Sequence, residues 1–475
     1  MKSNRRKFLR NLSIGTGALT VGLPSFANVK VDEADLKEVA AHGKQNFNMC
    51  GYAAPKLDEV RIGIVGLGMR GSGAVERLSY IEGVEITALC DKYPDRVSKS
   101  QKTLTEKMGR PRAKEYSGEE GYKALCESND VDLVYTPTPW HLHTPVAVYA
   151  MKHGKHAATE VNVGETVDQC WEVVETSEKT KKHCMMLENC CYDFFELLTL
   201  NMVRNGLFGD LVHAEGAYIH DLSKDYLFNK NAYADMWRLK ENIGKNGNLY
   251  PTHGLGPIAQ CMNINRGDKF DHLVSMSTND FTLNNLAREM AAKDDFFKEY
   301  VDKPYRGNMN TTLIKTNRNK SIMLQHDVST LRPYSRIHLV SGTKGVAQKW
   351  PGPERIAFGH SWIKKEELDE LYKKYSPPIV GHIGEIAKEV GGHGGMDFIM
   401  DWRLIDCLRN GLPLDQDVYD AAAWSSIFYL SQQSVKSKSR SVDVPDFTRG
   451  AWKTNKPVDL TLNGGATTTV RKAKS

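Results

Sequence analysis

From residue 60 onward, short runs of apolar and β-branched residues alternate with helix-length amphipathic segments. The runs 60–65, 84–90, 131–136, 156–159 and 184–187 read as strands, and the segments 71–82, 93–108, 119–128, 144–153 and 166–180 as the helices between them. Strands that are apolar throughout are buried on both faces, which predicts a doubly wound parallel α/β sheet with helices on either side. Beyond about residue 190 the rhythm changes. Strand-like segments at 211–219, 270–277, 311–316, 321–328, 336–341 and 346–350 follow one another, interrupted by a helix near 254–265 and followed by helices near 363–374, 396–410 and 417–434. This pattern predicts a second, α+β domain with a largely open mixed or antiparallel sheet. The chain divides into a leader (1–27), a linker (28–58), the doubly wound domain (59–189) and the α+β domain (190–475).

Charge sharpens this picture at the N-terminus. The formal charge is +5, from 63 Lys and Arg against 58 Asp and Glu. Lys2, Arg5, Arg6, Lys7 and Arg10 all precede residue 28 and no acid does, so the body of the chain is neutral. That balance gives little support to nucleic-acid or anionic-membrane binding driven by bulk charge. Arg5-Arg6-Lys7-Phe8-Leu9, a weakly apolar stretch and Ser25-Phe26-Ala27 resemble a twin-arginine export signal with its cleavage site, which predicts export to the periplasm through that machinery. No run of about 18 apolar residues follows, so no spanning helix is expected. The nine cysteines form no CxxC and lie mostly in apolar segments, so they read as small core residues; neither a disulfide framework nor a metal site is predicted.

The first strand ends in Gly66-Leu67-Gly68-Met69-Arg70-Gly71, a GxGxxG turn that opens a helix. Gly66 permits the tight turn, Gly68 clears the approach of a pyrophosphate, and Gly71 lets helix and strand close up, while the helix N-terminus supplies N–H donors. Asp91 ends the second strand, where an acid bonds the adenosine ribose diol and repels a 2′-phosphate. Together these residues predict a dinucleotide site that favours NAD over NADP.

The glycine turn, Thr136-Pro-Thr-Pro-Trp140-His141-Leu142-His143-Thr-Pro145 and Thr159-Glu160-Val161 resemble the Gfo/Idh/MocA oxidoreductase family. More narrowly, Cys184-Met-Met-Leu-Glu188-Asn189-Cys-Cys-Tyr192, Gly216-Ala-Tyr218-Ile-His220-Asp221, Tyr250-Pro251-Thr252-His253-Gly-Leu-Gly-Pro257, Arg332-Pro-Tyr334-Ser-Arg336 and Gly391-Gly-His393-Gly-Gly-Met-Asp397 resemble glycoside hydrolase family 109, from about residue 46 to the last helices. That family contains NAD-dependent α-N-acetylgalactosaminidases, many with twin-arginine leaders. The resemblance implies that Met69, Arg70, Asp91, Trp140, His141, Leu142, His143, Glu160, Val161 and Asn189 contact NAD. It implies that Tyr218, Arg238, Tyr250, Pro251, Thr252, His253 and Tyr334 contact the substrate. Glu160-Val161-Asn162 replaces the Glu-Lys-Pro of the broader oxidoreductases, whose lysine lies near the nicotinamide, and the hydrolases usually have proline where Asn162 stands.

No pair of carboxylates of the kind an ordinary glycosidase uses stands out in the sequence. The resemblance implies a redox-neutral cycle instead: tightly bound NAD+, not consumed, oxidises the sugar at carbon 3, the glycoside leaves by elimination across carbons 2 and 1, water adds, and the hydride returns. His253 is the candidate base for the oxidation, since imidazole titrates near neutrality. Tyr192 and Tyr250 are candidates for the carbon-2 and leaving-group steps, which would need their pKa lowered. Glu160 would orient His253 or the substrate, and Arg238 and Tyr334 would hold the sugar. Two other readings stand beside this one: a periplasmic NAD(P)-dependent sugar oxidoreductase, and a non-catalytic NAD-binding scaffold. The open sheet face of the second domain offers a surface for homo-oligomerisation.

Overall fold

A computed structural model of the chain describes residues 43–471; the stretch read as a twin-arginine leader and the residues that follow it to 42 lie outside the described residues. Six parallel strands form the first sheet: β1 (Val60–Val65), β2 (Val84–Asp91), β3 (Lys114–Ser117), β4 (Leu133–Thr136), β5 (His156–Thr159) and β6 (Cys184–Met186). Their order, β3-β2-β1-β4-β5-β6, is that of a Rossmann sheet. β1 and β4 are buried almost throughout, as their unbroken apolar sequence requires. β3, Lys-Glu-Tyr-Ser at an edge, escapes the hydrophobic pattern because its side chains are mostly exposed.

The helices start where local chemistry dictates. Thr166 and Gln169 form a reciprocal capping box ahead of the helix Val167–Thr180, and Pro94 occupies the first turn of Pro94–Lys102. The helix Trp140–Lys152 begins four residues before the predicted start and carries Pro145 inside its second turn.

The second sheet is mixed and has eight strands: β7 (Leu211–Ile219), β8 (Phe270–Ser277), β9 (Asn310–Thr316), β10 (Ser321–Asp327), β11 (Leu339–Gly342), β12 (Val346–Gln348), β13 (Arg355–Ala357) and β14 (Val442–Asp443). They run in the order β13-β12-β11-β7-β10-β9-β8-β14, with β7 and β10 parallel and the other pairs antiparallel. The helix Val418–Lys436 packs on β8, on β6 and on the helix Val167–Thr180, fastening the two sheets together. Its wide apolar surface is buried nearly all round, as is that of Met396–Asn410, which packs on the helix Met69–Ser79. The first domain thus takes part of its cover from late in the chain. The other face of the second sheet leaves Met276 and Leu313 exposed.

Part of the predicted linker belongs to the folded body. Met49 is buried, its N–H and the Gln45 amide both donate to the Tyr419 hydroxyl, and the Leu57 N–H donates to the Leu408 carbonyl. The segment reads as polar, yet its few apolar side chains fill the seam around the long C-terminal helices. The cysteines are all free, and all but Cys50 are buried.

Candidate active site

One cleft of about 460 Å³ runs from the end of β1 to the start of the helix Thr252–Cys261. At its first end Gly66 turns with positive φ, and a Cβ on Gly71 would lie 1.8 Å from the Gly66 carbonyl oxygen, so only glycine lets helix and turn meet. A Cβ on Gly68 would meet only Arg96, at 3.6 Å, and would project into the cleft. Gly68 caps the helix Met69–Ser79 with no side-chain acceptor, and no acid sits in the first turn. The uncapped N–H groups and the open cradle beside them fit a pyrophosphate.

Asp91 stands beside this cradle. Its carboxylate accepts the Leu67 N–H at 2.6 Å and the Tyr93 N–H at 2.9 Å, which ties the end of β2 to the glycine turn. Lys92 next to it is drawn away to Glu119 and Asp235. Arg70, in the first turn, bonds Glu160 at 2.7 Å and Asp397 at 2.9 Å, and so joins the glycine turn to the helix Met396–Asn410. His393 also bonds Asp397, at 2.9 Å, and Asn189 donates to the same carboxylate. Burial would raise the Asp397 pKa, but His393, Arg70 and Arg77 hold it well below the usual carboxylate range.

At the other end the wall is aromatic. A Cβ on Gly216 would lie 2.3 Å from the Gly254 carbonyl, and one on Gly254 would lie 2.3 Å from the Ala217 nitrogen, so the helix Thr252–Cys261 rests directly on β7. This backbone contact brings His253 to Tyr218, ring centroids 5.3 Å apart, with Tyr250 4.8 Å from His253 and 4.6 Å from Tyr218. The Arg238 guanidinium lies 5.0 Å over Tyr250 and 5.7 Å from Trp140, and donates to the Tyr233 hydroxyl at 2.7 Å.

His253 Nδ1 meets both oxygens of Glu188, at 2.8 and 3.0 Å. Glu188 is fully buried beneath this helix, where a Cβ on Gly256 would strike it at 2.9 Å. Burial would raise the Glu188 pKa, but His253 and the Cys190 N–H lower it below its ordinary value. An ionised carboxylate only accepts, so the neutral imidazole carries its proton on Nδ1 and leaves the Nε2 lone pair for the cleft. Sequence reasoning assigned the orienting role to Glu160. Glu160 instead holds Arg70, and Glu188, 65 positions before its partner and with no periodic link to it, holds the histidine.

Gly66, Gly68, Met69, Arg70, Asp91, Trp140, His143, Glu160, Val161, Asn189, Tyr218, Arg238, Tyr250 and His253 all line the cleft. Others of the predicted set do not. His141 is exposed, Leu142 packs into the cluster under β4, and Pro251 and Thr252 support the turn behind His253. His143 bridges the carbonyls of Asn162 and Thr138 with its two ring nitrogens, at 2.6 and 2.8 Å. Tyr334 accepts from Arg336 and packs edge-on against Tyr218 and His220. Tyr192 is placed elsewhere: its hydroxyl donates to Asp415, and burial drives its pKa well above 10. The roles given to Tyr192 and Tyr250 would need lowered pKa values, and burial raises both instead. Burial raises Tyr250 well above 10 and Tyr218 to about 12, despite the opposing pull of Arg238. Aromatic packing that shuts out water favours the neutral phenol, which donates a proton and does not accept one.

The two halves of the chain match two family profiles. Residues 60–188 match the oxidoreductase family with an NAD-binding Rossmann fold, and residues 192–454 match the glycosyl hydrolase 109 C-terminal domain. A glycosyl hydrolase family 109 protein of Shewanella pealeana is 46% identical over 97% of this chain and 99% of its own length. An α-N-acetylgalactosaminidase of Bacteroides fragilis is 49% identical over 86% of this chain and 96% of its own length. Among solved structures, levoglucosan dehydrogenase in complex with NADH and levoglucosan shares the fold with a TM-score of 0.61 at 15% identity, over 82% of this chain and 99% of that one. With the NAD-binding half and the hydrolase half both matched, the chain belongs to glycosyl hydrolase family 109: it is a glycoside hydrolase that uses NAD.

Proposed function

We propose that the protein releases terminal α-linked N-acetylgalactosamine by oxidation at carbon 3, elimination, addition of water and re-reduction, with NAD retained throughout. The observation that carries this reading is the Glu188–His253 pair: a buried carboxylate fixes the tautomer of an imidazole whose free nitrogen is left for the cleft. The cleft carboxylates Asp91, Glu160 and Asp397 are each engaged, by backbone N–H groups or by Arg70, and the substrate end presents an imidazole, phenols and a guanidinium. That inventory suits proton transfer beside a hydride acceptor better than it suits the two-carboxylate route.

NAD, when bound, supplies the acceptor and later the donor of the carbon-3 hydride. Gly68 and the helix start would hold its pyrophosphate, and Asp91 its adenosine ribose. His253 would take the proton of the carbon-3 hydroxyl through Nε2 and pass it to water; after water has added at carbon 1 it would return a proton to carbon 2, and a solvent-derived proton would restore the carbon-3 hydroxyl when the hydride comes back. Once the ketone has acidified carbon 2, the same imidazole, having passed its first proton to water, receives the second. Tyr250, held neutral by burial, donates to the departing glycosidic oxygen. Arg238, stacked against Trp140 and Tyr250, stabilises the enolate oxygen and orients the ring.

The test is hydrolysis of p-nitrophenyl α-N-acetylgalactosaminide in deuterated water by protein purified with its own nucleotide. Nitrophenol should appear without added NAD and without net NADH, and the product should carry deuterium at carbon 2. Full retention of the carbon-2 hydrogen would sink the elimination. Steady release of a keto-sugar would point instead to the oxidoreductase reading. The Arg5-Arg6 leader supports export of the folded, NAD-loaded protein to the periplasm, and replacing both arginines by lysine should hold the enzyme in the cytoplasm. The open face around Met276 and Leu313 supports assembly into a homo-oligomer.

A further inference from the structure

Beside the Glu188–His253 pair lies a buried thiol, Cys190, that the proposed reaction does not use. Glu188, Cys190 and His253 each present one ligand atom, a carboxylate oxygen, Sγ and Nδ1, and these atoms lie within 4.8 Å of one another. Zinc holds such donors at about 2.0–2.3 Å, which places any two of them roughly 3.3–3.8 Å apart, so rotations of about an ångström would close the three around one ion. The set is mixed nitrogen, oxygen and sulfur. Magnesium and calcium want six or more oxygens, whereas zinc and cadmium accept exactly this mixture with a fourth position left for water. Charge also balances: one carboxylate and one thiolate neutralise a divalent ion, so nothing unpaired is left in a site where Glu188 and Cys190 are fully buried. The ion would enter from the cleft, past His253, the only member of the three that lines it.

We propose that these three residues form an inhibitory site for a zinc-class divalent ion, one that silences the base by changing its tautomer. On binding, the Cys190 thiol releases its proton to solvent, Sγ bonds the ion, and the Glu188–His253 hydrogen bond is replaced by two metal–ligand bonds. A neutral imidazole that coordinates through Nδ1 carries its proton on Nε2. The lone pair that faced the sugar is then gone, although the cofactor cradle, at the other end of the cleft, is untouched. The inhibitory effect rests on His253 acting as the base; the ion site itself does not.

The experiment uses NAD-loaded, unsubstituted protein and the Cys190→Ser and Cys190→Ala variants, each compared with its own uninhibited rate. Zinc should inhibit the unsubstituted enzyme reversibly, with activity restored by EDTA and bound NAD unchanged, and magnesium should do neither. Cadmium should give an ultraviolet thiolate-to-metal charge-transfer band that saturates at one ion per chain. Both substitutions should abolish that band and weaken zinc inhibition at least tenfold. No band and no inhibition in the unsubstituted protein would overturn the proposal, as would a band and an inhibition constant that both survive in Cys190→Ser. The cadmium band needs no active variant, so a substituted chain that fails to fold still leaves the ion site open to refutation. A cadmium band with an unchanged hydrolysis rate would uphold the ion site and strike the reading of His253 as the base.

Discussion

The two ends of the cleft recognise their ligands by opposite means. The Rossmann end works with backbone: a glycine turn, an uncapped helix start, and a carboxylate, Asp91, whose two oxygens are already tied to N–H groups. Its charged side chains brace one another, as Arg70 does with Glu160 and Asp397. The far end works with side chains that shut out water, and there burial raises the phenols and leaves one imidazole lone pair exposed. Fixed dipoles suit a ligand that stays; neutral phenols and an imidazole with a free ring nitrogen suit one that reacts. If that division holds, substitutions at one end should move cofactor retention and those at the other should move turnover, with little crossing.

The largest expected effect is at the proposed base, His253. His253→Ala should lower kcat by about 10³-fold while the NAD content of the purified protein stays the same. Turnover within a few-fold of the unsubstituted enzyme would break the comparison outright and favour a scaffold. Glu188→Gln should cost about 10²-fold in kcat, because the amide no longer dictates which ring nitrogen carries the proton, with KM for the aryl glycoside changed little. A rise in KM with kcat intact would show instead that Glu188 merely shapes the pocket.

Asp91→Asn tests the other end. It should weaken NAD retention roughly tenfold, read as nucleotide lost on gel filtration, and leave kcat of the NAD-saturated enzyme alone. The smallest effect concerns stability. Burial holds His183 at about 4 and His156 well below its ordinary value, both at the β5–β6 edge of the first sheet. Each binds a proton more readily once unfolded, so their contribution is full above about pH 6.5 and is lost as pH falls toward 4. The unfolding temperature should drop by a few degrees between pH 7 and pH 5, and less so in His183→Phe. A midpoint flat across that range would mean that these rings take up protons in the native protein as readily as in the unfolded chain.

The same contrast explains what the sequence made legible. The cofactor end announces itself because its determinants are contiguous: one glycine turn, one strand, and an acid at the end of the next strand. β3 is hidden because an exposed edge strand has no hydrophobic period to display. The helices Phe194–Arg204 and Pro378–Val390 are absent from the predicted set, the first because its buried Glu196 and Thr199 blur the apolar stripe. At the substrate end the resemblance to known hydrolases located His253, Tyr250, Tyr218 and Arg238, yet it could not tell which tyrosines reach the cleft. Tyr192 and Tyr250 are alike in sequence terms; only packing sends one to Asp415 and the other to the wall beside Arg238. Glu188 was visible as a residue of a motif and invisible as a partner, because the contact is made across two domains by a helix lying on it.

That helix rests on β7 through Gly216 and Gly254, with no side chain between the two backbones. The position of His253 is therefore set by a ruler that no aromatic residue of the wall belongs to. A substitution in the aromatic wall, at Tyr218 for instance, therefore leaves the anchor of His253 in place, which makes that wall a starting point for changing which glycan is accepted.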